Sequence, residues 1–363
     1  MVSAGKTVLV LFNHLEENDE YLPLRTIDPA SLNFKPKYKI HVATAQEEYD
    51  SIVAALNSAG YRARCLNLKD DFSTLCRLIS QDPPDVIFNL VEFFHNDLNN
   101  EGAVASLFDL FGVPYTGAPP LSLSLCRRKG LTKQILAESG IPTPRFITLE
   151  RPIIKPEHGL KYPLILKPSR QDGSAGLDVY SVVSDYPHLL RRLDRLFADF
   201  KSSVLVEEFV EGQELHVPML GNDPAEVLPV IGFNFTELSE LEYYHPPLIT
   251  HDIKWNPLSP AYHKVHSLCP AELDRDTEAR VKDFARRAFI ATGCRDYARI
   301  DVRLGSDDTP YILEVNPNPD LTEGVSFMQS AETAGLGFAE TLSRIVEFAL
   351  ERAPKQSCKL PVD

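Results

Sequence analysis

Seven residues near the C-terminus, Ala298-Arg299-Ile300-Asp301-Val302-Arg303-Leu304, alternate apolar and charged side chains. Turn composition follows in Gly305-Ser306-Asp307-Asp308-Thr309-Pro310, and then a second strand-like run, Tyr311-Ile312-Leu313-Glu314-Val315-Asn316. If the hairpin closes with Leu304 against Tyr311, Asp301 lies opposite Glu314 and Arg299 opposite Asn316. Side chains two apart on a strand share a face, and opposed pairs have Cβ atoms about 5 Å apart. The spacing therefore gathers Arg299, Asp301, Glu314 and Asn316, and turns Ala298, Ile300, Val302, Leu304, Leu313 and Val315 into a core. A solvated hairpin face with a cross-strand ion pair is the plainer alternative. Two carboxylates so close repel unless a cation separates them, and the Asp, Glu and Asn oxygens are the hard donors that Mg²⁺ takes together with substrate phosphates. Asn316-Pro317-Asn318-Pro319-Asp320 then ends the strand abruptly, because proline cannot donate to a ladder.

A chain of 363 residues has room for two or three domains. Its net charge of −14, with no basic run, argues against a nucleic-acid partner. No apolar run reaches the roughly 20 residues of a membrane helix, and the apolar Thr7–Phe12 segment is too short for a signal-peptide core. Six cysteines without a CxxC pair read as reduced thiols. These features point to a cytoplasmic protein without a membrane partner.

The first third alternates strands (Val8–Phe12, Tyr61–Leu68, Asp85–Leu90 and a short Val113–Thr116) with helices (Thr44–Ala59, Asp71–Ser80, Glu101–Phe111). Alternation of this kind makes a parallel sheet covered on both faces. Thr44-Ala45-Gln46-Glu47 is a capping box. Helices Ser122–Cys126 and Lys129–Ser139 follow, then strands Tyr162–Lys167 and Leu177–Ser181, helix Tyr186–Phe200, and strands Ser203–Phe209, Gln213–Gly221 and Glu226–Thr236. Helices Asp274–Thr292 and Phe338–Ala353 flank the hairpin. The long loop Glu16–Lys39 and the region Tyr243–His266, which carries no clear element, have the length of functional loops. Histidines 245, 251, 263 and 266 cluster in the latter. The expected division is an α/β unit over 1–118, a small central unit over 119–210, a mixed-sheet unit over 211–353, and a frayed tail over 354–363.

Lys167-Pro168-Ser169-Arg170-Gln171-Asp172-Gly173-Ser174-Ala175-Gly176 joins two strands, and its glycines let backbone N–H groups approach an anion. It lacks the GxxxxGK[ST] of a P-loop. Each such signal is weak alone. In order, Arg128-Lys129-Gly130-Leu131-Thr132-Lys133, Lys167 with its glycine loop, Glu207 to Glu214, and the hairpin face resemble the ATP-grasp superfamily and, within it, the D-alanine–D-alanine ligase-like enzymes. Val113-Pro114-Tyr115-Thr116-Gly117, Leu166-Lys167-Pro168-Ser169-Arg170, Gly293-Cys294, Arg299-Ile300-Asp301-Val302 and Leu313-Glu314-Val315-Asn316 are near matches to the family's strings.

The resemblance implies an ATP-grasp fold, with an N-terminal parallel α/β domain, a central lid domain and a C-terminal mixed sheet. It implies that Lys129 and Lys167 hold ATP phosphates, that Gly173, Ser174, Ala175 and Gly176 form the lid loop, that Glu207, Glu208, Phe209 and Val210 hold adenine, and that Glu214 takes ribose. Asp301, Glu314 and Asn316 would bind Mg²⁺, with Mn²⁺ as a substitute, and Arg299 would stabilise the tetrahedral oxyanion. The reaction is then an ATP-dependent amide bond between a carboxylate and an amine, with a homodimer allowed.

The substrate readers depart from the family. Its first-substrate glutamate sits in a glycine-rich loop, whereas Phe12-Asn13-His14-Leu15-Glu16-Glu17 has no glycine, and Glu16 or Glu17 is the candidate stand-in. Lys254-Trp255 falls where the family has lysine–tyrosine, and Val325-Ser326 where it has a serine–leucine pair, so Lys254, Trp255 and Ser326 are the other substrate candidates. The same reaction on substrates other than two D-alanines is the reading. A D-alanine–D-alanine ligase proper and a non-catalytic ATP-binding regulator are the alternatives.

Overall fold

The structure, a computed structural model, describes residues 5–15, 32, 34, 36, 44–171, 173–241 and 247–353. Glu16, most of the Glu16–Lys39 loop, His245 and the tail beyond 353 lie outside the described residues.

Three sheets organise the chain. The first has the parallel order β2-β1-β3, from β1 (Thr7–Phe12), β2 (Arg62–Asn67) and β3 (Val86–Leu90). The continuous apolar run of β1 suits a strand covered on both faces. Helices α1 (Ala45–Ser58), α2 (Phe72–Gln81) and α3 (Glu101–Phe111) provide the cover. The Thr44 capping box forms as its sequence requires, and Asp71 caps α2. Val113–Thr116 supplies only a single bridge, Tyr115 against Ile87, because Pro114 lacks an N–H.

Helices α4 (Pro120–Cys126) and α5 (Lys129–Glu138) lead to the second sheet. Its order is β4-β7-β5-β6, from β4 (Phe146–Leu149), β5 (Leu164–Pro168), β6 (Val182–Val183) and β7 (Val204–Glu208), with α6 (Tyr186–Phe200) packed on one face. The expected strand Leu177–Ser181 is instead a turn. Ser181 N–H donates to Asp178 O at 3.1 Å and Asp178 N–H to Ser181 Oγ at 2.9 Å. Arg192 clamps the turn by donating to Asp178 Oδ2 (2.9 Å), Gly176 O (2.6 Å) and Ser181 Oγ (2.8 Å). Short polar side chains that bond local backbone compete with a ladder.

The third sheet runs β11-β10-β8-β12-β13, with β9 on β8. It comprises β8 (Gly212–Leu220), β9 (Glu226–Val227), β10 (Ile231–Asn234), β11 (His266–Leu268), β12 (Tyr297–Gly305) and β13 (Pro310–Asn316). The expected single strand Glu226–Thr236 breaks into β9 and β10 around Pro229. Tyr243–His266 is not featureless: it holds helix α7 (His251–Trp255), capped by Thr250, and a 3₁₀ turn at Tyr262–Lys264. Helix α8 (Arg275–Ala291) backs the sheet, while α9 (Ser326–Thr333) and α10 (Phe338–Glu351) pack toward the first sheet.

One core joins the first and third sheets, with Val8, Val10 and Phe88 beside Tyr297, Phe327, Ile345 and Val346. At its edge the fully buried Asp296 (φ +64°) accepts from Gly117 N–H at 2.9 Å and from Arg352 Nη2 at 2.8 Å. The first sheet is thereby fixed against the third, and the second stands over the free face of the hairpin strands.

Candidate functional site

Strand β12 lies between β8 and β13, so its register with both decides which side chains meet. Arg299 pairs with Asn316, and Asp301 with Glu314 on one side and His216 on the other. Arg303 pairs with Glu214. The four residues predicted to converge do so. The closing pair differs, being Leu304 with Pro310, because the register shifts between Asp301 and Val302. The shift is a bulge at Leu313, which puts two neighbours of β13 on one side of the sheet. Leu313 consequently lines the cleft beside Glu314 instead of joining the core, where Ile312 takes its place.

Arg299 grips Asp301 with two parallel hydrogen bonds, 2.7 Å from Nε to Oδ1 and 2.8 Å from Nη2 to Oδ2. Asn316 Nδ2 donates to Asp301 Oδ2 at 3.0 Å. The Arg299 guanidinium, with smaller help from Lys254, holds the Asp301 carboxyl well below the ordinary carboxylate range against its burial. His216 sits 3.7 Å from Asp301 and 3.3 Å from the Ser326 hydroxyl, and burial lowers its imidazole to about 3, so it is neutral. Glu214 faces Arg303 at 3.0 Å, and burial raises its carboxyl.

The lysines arrive from the second sheet and from α5. Lys129, the first residue of α5, is paired with Glu314. Lys167, near the end of β5, and Lys133, one turn along α5, both reach Glu207 of β7 at 2.5 Å. All three are buried. Burial lowers Lys133 to about 8, whereas the two ammonium groups hold Glu207 ionised. Two cations on one carboxylate leave surplus positive charge in a dry cleft, where an anion is most strongly attracted.

The glycine loop after β5 turns through positive φ at Gly173 (+63°), Ser174 (+62°) and Gly176 (+74°). Gly173, Ser174 and Ala175 line the cleft. Gly176 does not: a Cβ there would come within 2.9 Å of Pro168 and Phe200, so this glycine serves packing. Trp255 Nε1 donates to Gly173 O at 2.8 Å, and Lys254 stands 5.0 Å over the indole. Helix α7 and the glycine loop thus form one wall. The cleft, about 110 Å³, also takes in Glu207, Glu208, Phe209, Val210, Glu214 and Lys254. The Glu208 and Phe209 amides are engaged by the Arg145 and Pro163 carbonyls.

Of the substrate candidates, Lys254 borders both the cleft and an adjoining cavity of about 280 Å³, and Trp255 lines the adjoining cavity. Ser326 opens α9 and lines neither, its hydroxyl being turned to His216. Glu16 falls outside the described residues. Lys133, His216 and Arg303 are site residues not singled out from sequence. Arg303 continues the alternation from Asp301 and His216 that from Glu214, so the period of two carried the signal.

Asp301, Glu314 and Asn316 are the donors that could take a divalent cation. Among the described residues no cluster of three or more His, Cys, Asp or Glu could hold a metal unaided. Two carboxylates and an amide fit a Mg²⁺ ion whose remaining ligands are phosphate oxygens and water.

Residues 135–347 match the family model described as "D-ala D-ala ligase C-terminus". A D-alanine–D-alanine ligase of Desulforudis audaxviator is 31% identical over 312 residues, 83% of this chain and 92% of that one. The chain belongs to the D-alanine–D-alanine ligase family. It is an ATP-dependent carbon–nitrogen ligase of ATP-grasp fold, acting on small molecules. This ligase is also 32% identical to the uncharacterized protein y4sG of Sinorhizobium fredii, over 84% of this chain and 87% of that protein. Two crystal structures share its fold at a TM-score of 0.70. One is the D-alanine–D-alanine ligase of Bacillus anthracis complexed with ATP (21% identity, 96% and 98% of the two chains). The other is the VanG D-Ala:D-Ser ligase of Enterococcus faecalis (18%, 95% and 99%). Among the described residues no helix is long and apolar enough to cross a membrane.

Proposed function

We propose that this ligase activates a carboxylic acid other than D-alanine as an acyl phosphate and joins it to an amine. The observation that carries the reading is the meeting of Lys129, Lys167, Arg299, Asp301, Glu314 and Asn316 in one cleft. The acid's oxygen attacks the γ-phosphorus of ATP and ADP leaves. The amine then attacks the acyl carbon, loses a proton and expels phosphate. Neither step requires a protein nucleophile; both require aligned reactants and neutralised charge.

Lys129 and Lys167 hold the phosphates, so each lets go of its acid, Glu314 or Glu207, as the nucleotide enters. Residues Gly173 to Gly176 cover the phosphates, the segment Glu207 to Val210 borders adenine, and Glu214 takes the ribose hydroxyls. Mg²⁺, or Mn²⁺ in its place, bound by Asp301, Glu314 and Asn316, would neutralise phosphate charge. Arg299 faces the oxyanion of the second step.

The departure from D-alanine rests on Trp255. An indole in place of a phenol removes an O–H and adds apolar area beside the adjoining cavity, which favours a larger acid. A second reading, D-alanine–D-alanine ligase proper, draws on the names of the relatives. Phosphate release from MgATP across a panel of acids and amines decides. Turnover with larger acids and little with D-alanine supports the proposal. Efficient turnover with D-alanine alone favours the second reading, and no acid-dependent release overturns both.

A further inference from the structure

The adjoining cavity shares Gly173, Lys254, Arg299 and Asn316 with the phosphate cleft, and Trp255 lines it beside them. At about 280 Å³ it approaches the size of small-molecule sites, which begin near 300 Å³, and alanine would fill only part of it. Two polar atoms on its wall have no hydrogen-bond partner: Asn89 Nδ2, at the end of β3, and Tyr297 Oη, at the start of β12. Both residues are buried, at 1% and 0% exposure. Asn89 Oδ1 already accepts from Val91 N–H at 3.3 Å, which fixes the amide with its donor end unused. Buried polar groups are nearly always paired, so the two atoms mark where a ligand's polar atoms belong.

Apart from the buried Arg127–Glu101 ion pair, the charge of the cavity is divided. Lys254 and Arg299 stand where it meets the phosphate cleft. Glu48, Glu92 and Asp320 line this cavity alone. They surround the Tyr49 phenol, whose proton is held by burial first and then by the field of these three carboxylates.

Building on the ligase reading, we propose that this cavity takes the acid substrate, and that the acid is a short peptide with a free N-terminus. Its C-terminal carboxylate faces Arg299 and Lys254, where it meets ATP. Its N-terminal ammonium faces the acids and the Tyr297 hydroxyl. The neighbouring peptide carbonyl accepts from Asn89 Nδ2. A neutral carbonyl suits a wall of carboxylates better than a second carboxylate would, and one peptide terminus supplies partners for both unpaired atoms.

The test uses the full chain with MgATP and hydroxylamine as the amine, reading ADP and hydroxamate. The acids are alanine, the dipeptide Ala-Ala and N-acetyl-Ala-Ala, in both enantiomeric series. The dipeptide should exceed alanine by about tenfold or more in kcat/KM, and acetylation should cost about tenfold. Asp320→Asn should shrink the gap between free and acetylated dipeptide while leaving MgATP affinity unchanged. Asn89→Leu should lower kcat/KM for the dipeptide more than for alanine. Alanine matching the dipeptide, or the acetylated form matching the free one, overturns this proposal and leaves the ligase reading standing. An enzyme that makes ADP with none of these acids, or with any other carboxylate offered, overturns the ligase reading itself.

Discussion

The phosphate cleft and the adjoining cavity share four residues yet differ in how their polar groups are satisfied. In the cleft the charges are paired: Lys129 with Glu314, Lys133 and Lys167 with Glu207, Arg299 with Asp301, Arg303 with Glu214. In the cavity, Asn89 Nδ2 and Tyr297 Oη have no partner. On the proposed function, nucleotide binding would exchange these internal ion pairs for phosphate contacts. The cavity lacks that compensation, so its occupant supplies what the protein omits. A site whose charges are balanced internally can stay unchanged while its neighbour is rebuilt for another substrate.

The largest effect expected from this contrast is in the cleft. Glu314→Ala removes a carboxylate from the face away from the core and should lower MgATP turnover by roughly 10²-fold or more, the scale of groups that neutralise developing charge. The thermal midpoint should stay near that of the wild type. Phosphate release within threefold of wild type would break the assignment of Glu314 to the metal and phosphate side.

Lys167→Ala comes next. Loss of a charge-assisted contact is worth about 1.5–3 kcal/mol, or roughly 10- to 100-fold in affinity. Calorimetry should show that weakening for ATP. Lys133 remains on Glu207, so the buried carboxylate keeps one partner and the fold should survive. An unchanged affinity would mean that Lys167 serves Glu207 and not the nucleotide.

Trp255 tests the border between the two regions. Being the single tryptophan, it reports alone. Its emission should shift when MgATP and the acid substrate are both present, and Trp255→Phe should raise KM for the acid several-fold with little change for ATP. An unmoved emission together with normal kinetics of the variant would make Trp255 a packing residue.

The smallest effect is on stability. Burial lowers Lys133 to about 8, below the 10.5 of an ordinary lysine. Between those values the unfolded chain holds the extra proton, so this group's contribution to stability grows as pH rises from 8 toward 10.5 and is least below 8. Urea midpoints of wild type and Lys133→Met should diverge across that window, with the wild type gaining. Parallel curves would mean that Lys133 titrates normally.

The same contrast separates what the sequence disclosed from what it withheld. The pairing of Asp301 with Glu314 followed from a period of two and a short turn, both local. The Leu313 bulge did not, because a register shift depends on how the turn closes against neighbouring strands. Lys129, Lys167 and Glu207 to Glu214 became meaningful only as an ordered set. His216 and Arg303 join the site through the pairing of β8 with β12, strands far apart in the chain, so the alternation on each was visible and its meeting was not. Helix α7 is too short to show helical periodicity. Asn89 and Tyr297 line a cavity made by docking one sheet on another, and nothing near either residue in the sequence encodes that.

The central claim is that a carboxylate oxygen is transferred to the γ-phosphorus of ATP in the cleft. Supplying the acid substrate with both carboxylate oxygens replaced by ¹⁸O, together with MgATP and the amine, and analysing the released phosphate by mass spectrometry tests it directly. An acyl phosphate requires one ¹⁸O in each phosphate formed during amide synthesis. Phosphate free of label, with the amide still made, would contradict it.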